Sequence, residues 1–136
     1  MDLDEARQFL RANHPAILAT FRSDGWPQLS PVSVGVDDEG RAVISSRETA
    51  YKVRNLRRDA RASLCVMTTE FYGPWVQVEG TATIVSLPDA MQPLIDYYRS
   101  LSGEHPDWDE YRRAMEDQRR VMVRIELSRA GPNRQG

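Results

Sequence analysis

The sequence predicts a mainly β fold with a few inserted helices, closed into a small antiparallel barrel. Three observations carry that prediction. Short apolar runs with period-two alternation recur along the chain, separated by turn signals such as Ser23-Asp24-Gly25 and Asp37-Asp38-Glu39-Gly40. Helical periodicity is confined to short insertions, too few and too irregular for alternating parallel βαβ units. A glycine, Gly80, interrupts the longest strand pattern, as a bulge or barrel corner requires. With 136 residues the chain has room for one core and one domain.

Taken in order, Asp2 and Glu5 have capping-box spacing, and Leu3, Ala6, Phe9 and Leu10 follow at helical steps. They predict a first helix ending near Ala12. Pro15 opens a strand over 16–21. After the Asp24-Gly25 turn a second strand runs over about 27–36, broken or bent by its prolines. The third covers 41–46, and the two hairpins form a meander. A short helix over about 49–58 has Val53 and Leu56 as its apolar side. Strands are expected at 63–68 and 75–85. Pro88 is expected to open a helix in which Leu87, Met91, Leu94, Ile95, Tyr98 and Leu101 fall at three- and four-residue steps, closed by Gly103. A second short helix over 106–117 is acidic in its first turn, as the helix dipole favours. Val121, Val123, Ile125 and Leu127 alternate in the last strand. The tail, 129–136, rich in Gly, Pro and Asn, is expected to be loose.

Composition excludes several classes of function. The net charge is −2, so no global basic field suits a nucleic-acid partner, although basic residues cluster at 52–61 and 112–124. The single cysteine, Cys65, forms no internal disulfide and reads as a buried strand residue in a reducing compartment. The first residues carry no secretory pattern, and no apolar run reaches the roughly 20 residues of a membrane span. The expected location is the cytoplasm, with no membrane partner.

Site chemistry narrows further. Two histidines, His14 and His105, and one cysteine offer no ligand pair at metal-binding spacing, so no metal site is expected. There is no Gly-x-Ser-x-Gly elbow, no Gly-x-Gly-x-x-Gly turn and no P-loop. The acidic pairs Asp37-Asp38 and Asp107/Asp109 suit a turn and a helix start. What remains is a candidate anion site over 45–58. The chain has eighteen basic residues, and Lys52 is its only lysine. A lysine is a compact charge suited to a phosphate or a ring carbonyl, whereas arginine prefers planar bidentate pairing. Ser45 and Ser46 end a strand, a helix starts a few residues later, and Arg47, Lys52 and Arg54 flank that start. Hydroxyls, helix-terminal amides and a lysine make a phosphate cradle. Arg57 and Arg58 read as a solvated outer face.

Three stretches in order, Asp24-Gly25-Trp26-Pro27-Gln28-Leu29-Ser30, Tyr51 to Ser63, and Trp75-Val76-Gln77-Val78-Glu79-Gly80-Thr81-Ala82, resemble the pyridoxamine-phosphate-oxidase-like split β-barrel superfamily. Together with Ser102 to Arg112 they are similar to its actinobacterial branch of oxidoreductases that use the deazaflavin coenzyme F420. The resemblance spans about residues 3–128. It implies a split antiparallel barrel, an obligate homodimer with cofactor sites between the barrels, and hydride transfer from reduced F420 to a small organic acceptor. The alternatives are an FMN-dependent oxidase or reductase and a non-catalytic carrier of cofactor or tetrapyrrole. The resemblance puts Lys52 on the cofactor phosphate and Ser45 and Ser46 near the phosphate or ring edge. It puts Gln28 at the ring's polar edge and Trp75 and Val76 beside the ring, with Gln77 a weaker candidate. Ser30, Arg47, Arg54 and Asn55 complete the expected cofactor-binding set. No side chain is given a catalytic role, because the cofactor carries the hydride. Trp75, Tyr72, Met67 and Trp108 are candidates for the acceptor pocket. Relatives that bind the deazaflavin often carry an arginine where this chain has Ala50. Arg47 or Arg54 is the expected substitute, and Arg119 and Arg120 are candidates to add charge from the partner chain.

Overall fold

A computed structural model describes residues 1–135. Seven strands form one antiparallel sheet: β1 (Pro15–Phe21), β2 (Pro27–Ser33), β3 (Gly35–Val36), β4 (Ala42–Arg47), β5 (Arg61–Met67), β6 (Pro74–Val85) and β7 (Arg120–Gln135). The spatial order is β2-β1-β5-β6-β7-β4-β3, and the sheet curls until β2 comes back against β4. The fold class is the one the sequence predicts, a mainly antiparallel sheet curled into a split barrel with four helices.

The alternation that marked the strands decides which side chains enter the barrel. Ala16, Leu18 and Thr20 of β1, Ala62, Leu64 and Val66 of β5, and Ala42, Ile44 and Ser46 of β4 point inward. Helix α1 (Leu3–Ala12) starts at Asp2, whose carboxylate accepts the Glu5 N–H at 2.8 Å, and adds Ala6 and Leu10 to that core. Helix α2 (Tyr51–Arg58) adds Val53 and Leu56. A second, smaller core lies outside the barrel, where α3 (Met91–Ser102) and α4 (Trp108–Asp117) cover Val43 and Met122 with Leu94, Ile95, Tyr111 and Met115. No helix among the described residues is long and apolar enough to cross a membrane.

Three expectations of the fold differ from the structure. The two hairpins, β1–β2 and β3–β4, form, but not as a meander, because the break at Val34 sends β3 to the edge of the sheet opposite β2. Helix α3 begins at Met91, not at Leu87 or Pro88: residues 87–90 form a turn closed by the Ala90 N–H on the Ser86 carbonyl at 2.9 Å. A turn and a helical turn share the same residue spacing, so periodicity alone cannot separate them. The tail expected to be loose from residue 129 instead continues β7 to Gln135, pairing Pro74 with Gln135 and Val78 with Ala130. Gly131 and Pro132 fall where the register shifts between Val76 and Val78, and a bulge tolerates a proline with no N–H to give. The first half of β6 needs a partner there, and that need overrides the tail's composition. Residue 136 lies outside the described residues.

Gly80 occupies the second register shift, between Glu79 and Gly80. A Cβ at this position would collide with the Glu126 carbonyl oxygen of β7. The two backbones close on each other at the bend only because that position carries no side chain.

Candidate functional site

The end of β4 and the start of α2 form the site. Strand alternation turns Ser45 and Arg47 outward, with Arg47 exposed, while Ser46 turns inward and is buried. The Ser46 hydroxyl therefore faces the barrel core, and its backbone is what remains for a ligand. Ala50 caps α2 in extended geometry but has no side chain to take a first-turn amide.

Lys52 is half-buried on the first turn of α2. Burial pushes its ammonium below the usual lysine range, and the neighbouring Arg120 charge pushes the same way. Arg120 opens β7 and sits directly opposite Arg47 in the β4–β7 pairing. It too is half-buried, and its Nε donates to Gln118 Oε1 at 2.8 Å. Burial and Arg47 both weaken the hold of the Arg120 guanidinium on its proton, while the Tyr111 and Tyr97 phenols oppose them. Among the described residues, none of Arg47, Lys52 and Arg120 pairs with a carboxylate.

Tyr97 of α3 spans the mouth of this cluster. Its hydroxyl donates to the Ser33 carbonyl at the end of β2, at 2.7 Å, and the Ser45 amide of β4 faces it. Burial pushes its phenol up. One side chain thus ties together the two strands that meet at the split. Beside Arg120 a cavity of about 250 Å³ opens between Glu48, Ser86, Glu116 and Arg119. A larger one, about 540 Å³, lies between α3 and the β3–β4 turn; Arg124, whose buried Nε has no partner among the described residues, and Tyr97 are among its walls. It lacks Arg47, Lys52 and Arg120, so the larger cavity is not the cation site.

The remaining expected residues fall in three places. Asn55 is buried, and its Nδ2 donates to Thr20 Oγ1 at 3.1 Å and to Gln28 Oε1 at 2.9 Å. It acts as a clamp that orients Gln28, leaving the Gln28 NH2 as the group available to a ligand; Ser30 follows two residues on, half-buried on the same face. Arg54 is exposed, with its guanidinium 5.9 Å from the Tyr51 ring. Arg57 and Arg58 are exposed as expected, yet both are engaged: Arg57 with Glu48 at 2.7 Å, Arg58 with the Phe21 carbonyl at 2.7 Å and Asn55 Oδ1 at 2.9 Å.

Trp75 and Val76 lie elsewhere. They begin β6, whereas α2 meets that strand's other end, where Ala82 bonds Ala60 and Arg57 reaches Ser86. Ten residues of strand, on the order of 30 Å, separate Trp75 from Val85. Val76 is fully buried, while Trp75 is half-buried on the outer face opposite Met67. Gln77 is half-buried on that face too, its amide bonded to Glu79 at 3.2 Å. Cys65, expected to be buried, is half-exposed between Ile17 and Gln77, because its strand turns Leu64 and Val66 inward instead. This face of β2-β1-β5-β6 also carries Leu29, 65% exposed, and none of Ile17, Leu29, Cys65, Met67 or Trp75 packs into either core. The candidates for an acceptor pocket do not converge in one chain. Tyr72 is exposed against Phe71, and Trp108 belongs to a ring cluster with Tyr98, His105 and Tyr111 between α3 and α4. Tyr111 donates to the Leu94 carbonyl at 2.9 Å, and burial pushes its phenol up to about 12. No group of three or more potential metal ligands occurs among the described residues.

Sequence reasoning missed Tyr97 and named Arg120 only as a candidate to add charge from a partner chain; within one chain Arg120 sits opposite Arg47. The signal for Arg120 was present: the alternation of β7 puts Arg120, Met122 and Arg124 on one face, the face shared with Arg47 and Ser45. Tyr97 stood beside the apolar stripe of α3, and only the three-dimensional course of β2 reveals its partner.

Comparison with known proteins agrees with this architecture. The chain is 26% identical over 126 residues to an F420H(2)-dependent biliverdin reductase of Mycobacterium tuberculosis (strain CDC 1551 / Oshkosh), covering 93% of this chain and 84% of that protein. A solved structure of a conserved hypothetical protein from Mycobacterium tuberculosis is similar with a TM-score of 0.77 at 28% identity, over 96% of this chain and 82% of that one. A solved F420 reductase shares the fold with a TM-score of 0.68 at 21% identity, over 92% and 94% of the two chains. The family model for pyridoxamine 5'-phosphate oxidase matches residues 3–132, nearly the whole barrel and every element that frames the cation cluster, and the chain belongs to that family.

Proposed function

We propose that this protein is an oxidoreductase that binds a phosphate-bearing deazaflavin of the coenzyme F420 kind and directs its hydride to a small organic acceptor. The observation that carries this reading is the cluster of Arg47, Lys52 and Arg120, cations without a carboxylate partner among the described residues. In a member of this family, similar over most of its length to an F420H(2)-dependent reductase, the anion that suits such a cluster is a cofactor phosphate. The neighbouring residues fit the rest of such a molecule. Gln28, held by Asn55, offers an amide donor to the polar edge of a ring. Exposed Arg54, two residues beyond Lys52, adds a cation that suits a cofactor with an anionic tail better than FMN.

When bound, the deazaflavin supplies the hydride from its ring carbon, so no side chain needs to form a bond to the acceptor. The work left to the protein is binding and orientation. Lys52 and Arg47 fix the phosphate, and the hydroxyl of Tyr97, anchored on Ser33, keeps β2 and β4 at a set separation. The reading includes a homodimer. The apolar face of Ile17, Leu29, Met67 and Trp75 meets the same face of a second copy, and Trp75 of one copy completes the groove of the other. That arrangement accounts for a ring-facing tryptophan that starts β6 at the end away from α2.

A side-by-side titration of purified apo-protein with coenzyme F420 and FMN, followed by cofactor fluorescence, tests the reading. Micromolar or tighter binding of F420, with FMN much weaker, is expected. Preference for FMN would move the protein to the oxidase side of its family, and binding of neither would sink the proposal.

A further inference from the structure

We infer that the cavity of about 540 Å³ between α3 and the β3–β4 turn is a binding site for a small zwitterion of the amino-acid kind. Arg124 takes the carboxylate of that molecule, and Asp38 and Asp96 take its ammonium. The cavity contains none of Arg47, Lys52 and Arg120, so it is separate from the proposed cofactor site. Alternation along β7 turns Val123 and Ile125 into the barrel and leaves Arg124 on the outer face, opposite Val43 of β4 and Thr83 of β6. An arginine can hold such a place by laying its stem over apolar neighbours and carrying its head to water. Arg124 does not do so fully: its Nε is buried and meets no acceptor among the described residues. A buried donor left without a partner opposes folding.

Acids line the same cavity but do not answer this charge. Arg41 is held by Asp37 at 2.8 Å and Glu39 at 3.4 Å, and Arg99 by Glu104 at 2.8 Å. With those pairs made, the lining keeps one cation, Arg124, and two carboxylates, Asp38 and Asp96. None of these three forms an ion pair among the described residues. Asp96 Oδ1 accepts the Gln92 amide at 2.9 Å, which leaves its other oxygen. Unlike charges that face one space without pairing leave a gap that a molecule bearing both signs can bridge.

The signs of the lining decide the class of ligand. A plain anion would satisfy Arg124 but face the two free carboxylates. A plain cation would satisfy the carboxylates and leave Arg124 unanswered. With its Nε closed off, Arg124 presents its two Nη groups as a fork, the geometry that suits a carboxylate. Val36, Val43 and Pro93 add an apolar wall for a hydrocarbon side chain. The volume lies within the range of small-molecule sites, roughly 300–1,000 Å³.

The test titrates the full chain with L-leucine and L-phenylalanine, and with the N-acetyl and amide forms of each, followed by amide chemical shifts in NMR. The N-acetyl forms keep only the anion and the amides only the cation. The parent should bind at least one free amino acid about tenfold or more tighter than either of its blocked forms, the scale of a lost charge-assisted hydrogen bond. Shifts should centre on Val43, Ser100 and Arg124. Arg124→Met, which keeps the apolar stem, should weaken the free amino acid by about 10- to 100-fold. Asp38→Asn combined with Asp96→Asn changes only exposed positions, and it decides the matter if Arg124→Met does not fold. That double variant should weaken the free amino acid by about two- to fivefold, the scale of exposed ion pairs, and leave the N-acetyl form unchanged. Failure of the parent to bind either free amino acid would overturn the inference. So would a blocked form that binds as tightly as the free one, or unchanged affinity in either folded variant.

Discussion

Lys52, in the proposed site, is a residue that costs stability and would support binding. Burial and the Arg120 charge hold its ammonium below the ordinary lysine value of 10.5. A base whose pKa is depressed by folding is easier to fold when neutral, so its charge opposes folding at neutral pH; the penalty begins to lift as pH rises past the lowered value and is gone above the ordinary 10.5. Phosphate binding needs the charged form and runs the other way. Affinity for a phosphate-bearing cofactor should therefore fall at a pH lower than an unperturbed lysine would give, with no parallel loss of stability traceable to Lys52. Replacing Lys52 by alanine should weaken cofactor binding by about 1.5–3 kcal/mol and flatten that part of the pH profile. Kd measured across alkaline pH for both proteins checks it, and an unchanged affinity in the variant would remove Lys52 from the site. Lys52 was legible in the sequence because it stands alone among arginines. Asn55 and Tyr97 were not legible as a clamp and a strap, because their partners, Gln28 and Ser33, are 27 and 64 residues away and meet them only in the fold.

At the scale of elements, the strands follow from alternation and turn chemistry, and the exceptions show where tertiary demands prevail. The Gly25 and Gly40 turns have positive φ, 87° and 77°, as their sequences suggest. The C-terminal segment of β7 could not be read as a strand, because Gly131 and Pro132 carry turn signals and only the open ladder of Pro74–Glu79 recruits them. Gly80 was readable as a bend but not as a point of contact. Since a Cβ there meets the backbone carbonyl of Glu126 and not a flexible side chain, the strands must separate to admit it. Gly80→Ala should lower stability by about 2–4 kcal/mol, in the range of overpacking and backbone clashes. The urea midpoint reports this directly. A midpoint within error of the parent would mean that β6 and β7 can part at the bend without loss.

For the whole molecule, the distribution of exposed apolar surface is what a single chain leaves unresolved. Among the described residues, six large apolar or aromatic side chains are exposed, including Trp26 at 69%, Leu29 at 65% and Phe71 at 79%. Leu29 belongs to the same outer face as Ile17, Met67 and Trp75, while Lys52 belongs to α2, which meets the other end of β6. The proposed reading places Trp75 beside the cofactor ring, yet about 30 Å of strand separates it from the end of β6 that meets α2, so one chain would not close the groove alone. In the proposed homodimer, two copies packed through this face would bring the halves together, and that arrangement makes a complementation test possible. Leu29→Glu should yield a monomer by sedimentation and abolish cofactor binding while leaving the barrel folded. Lys52→Ala and Trp75→Ala should each bind poorly as homodimers. When the two are unfolded and refolded together, the mixed dimer carries both lesions in one groove and none in the other, so about half of the mixed dimer's sites should recover parental affinity. Recovery requires Lys52 and Trp75 of different chains to share a groove. If both residues served the same groove from one chain, every groove in the mixture would carry a lesion and no tight site would appear.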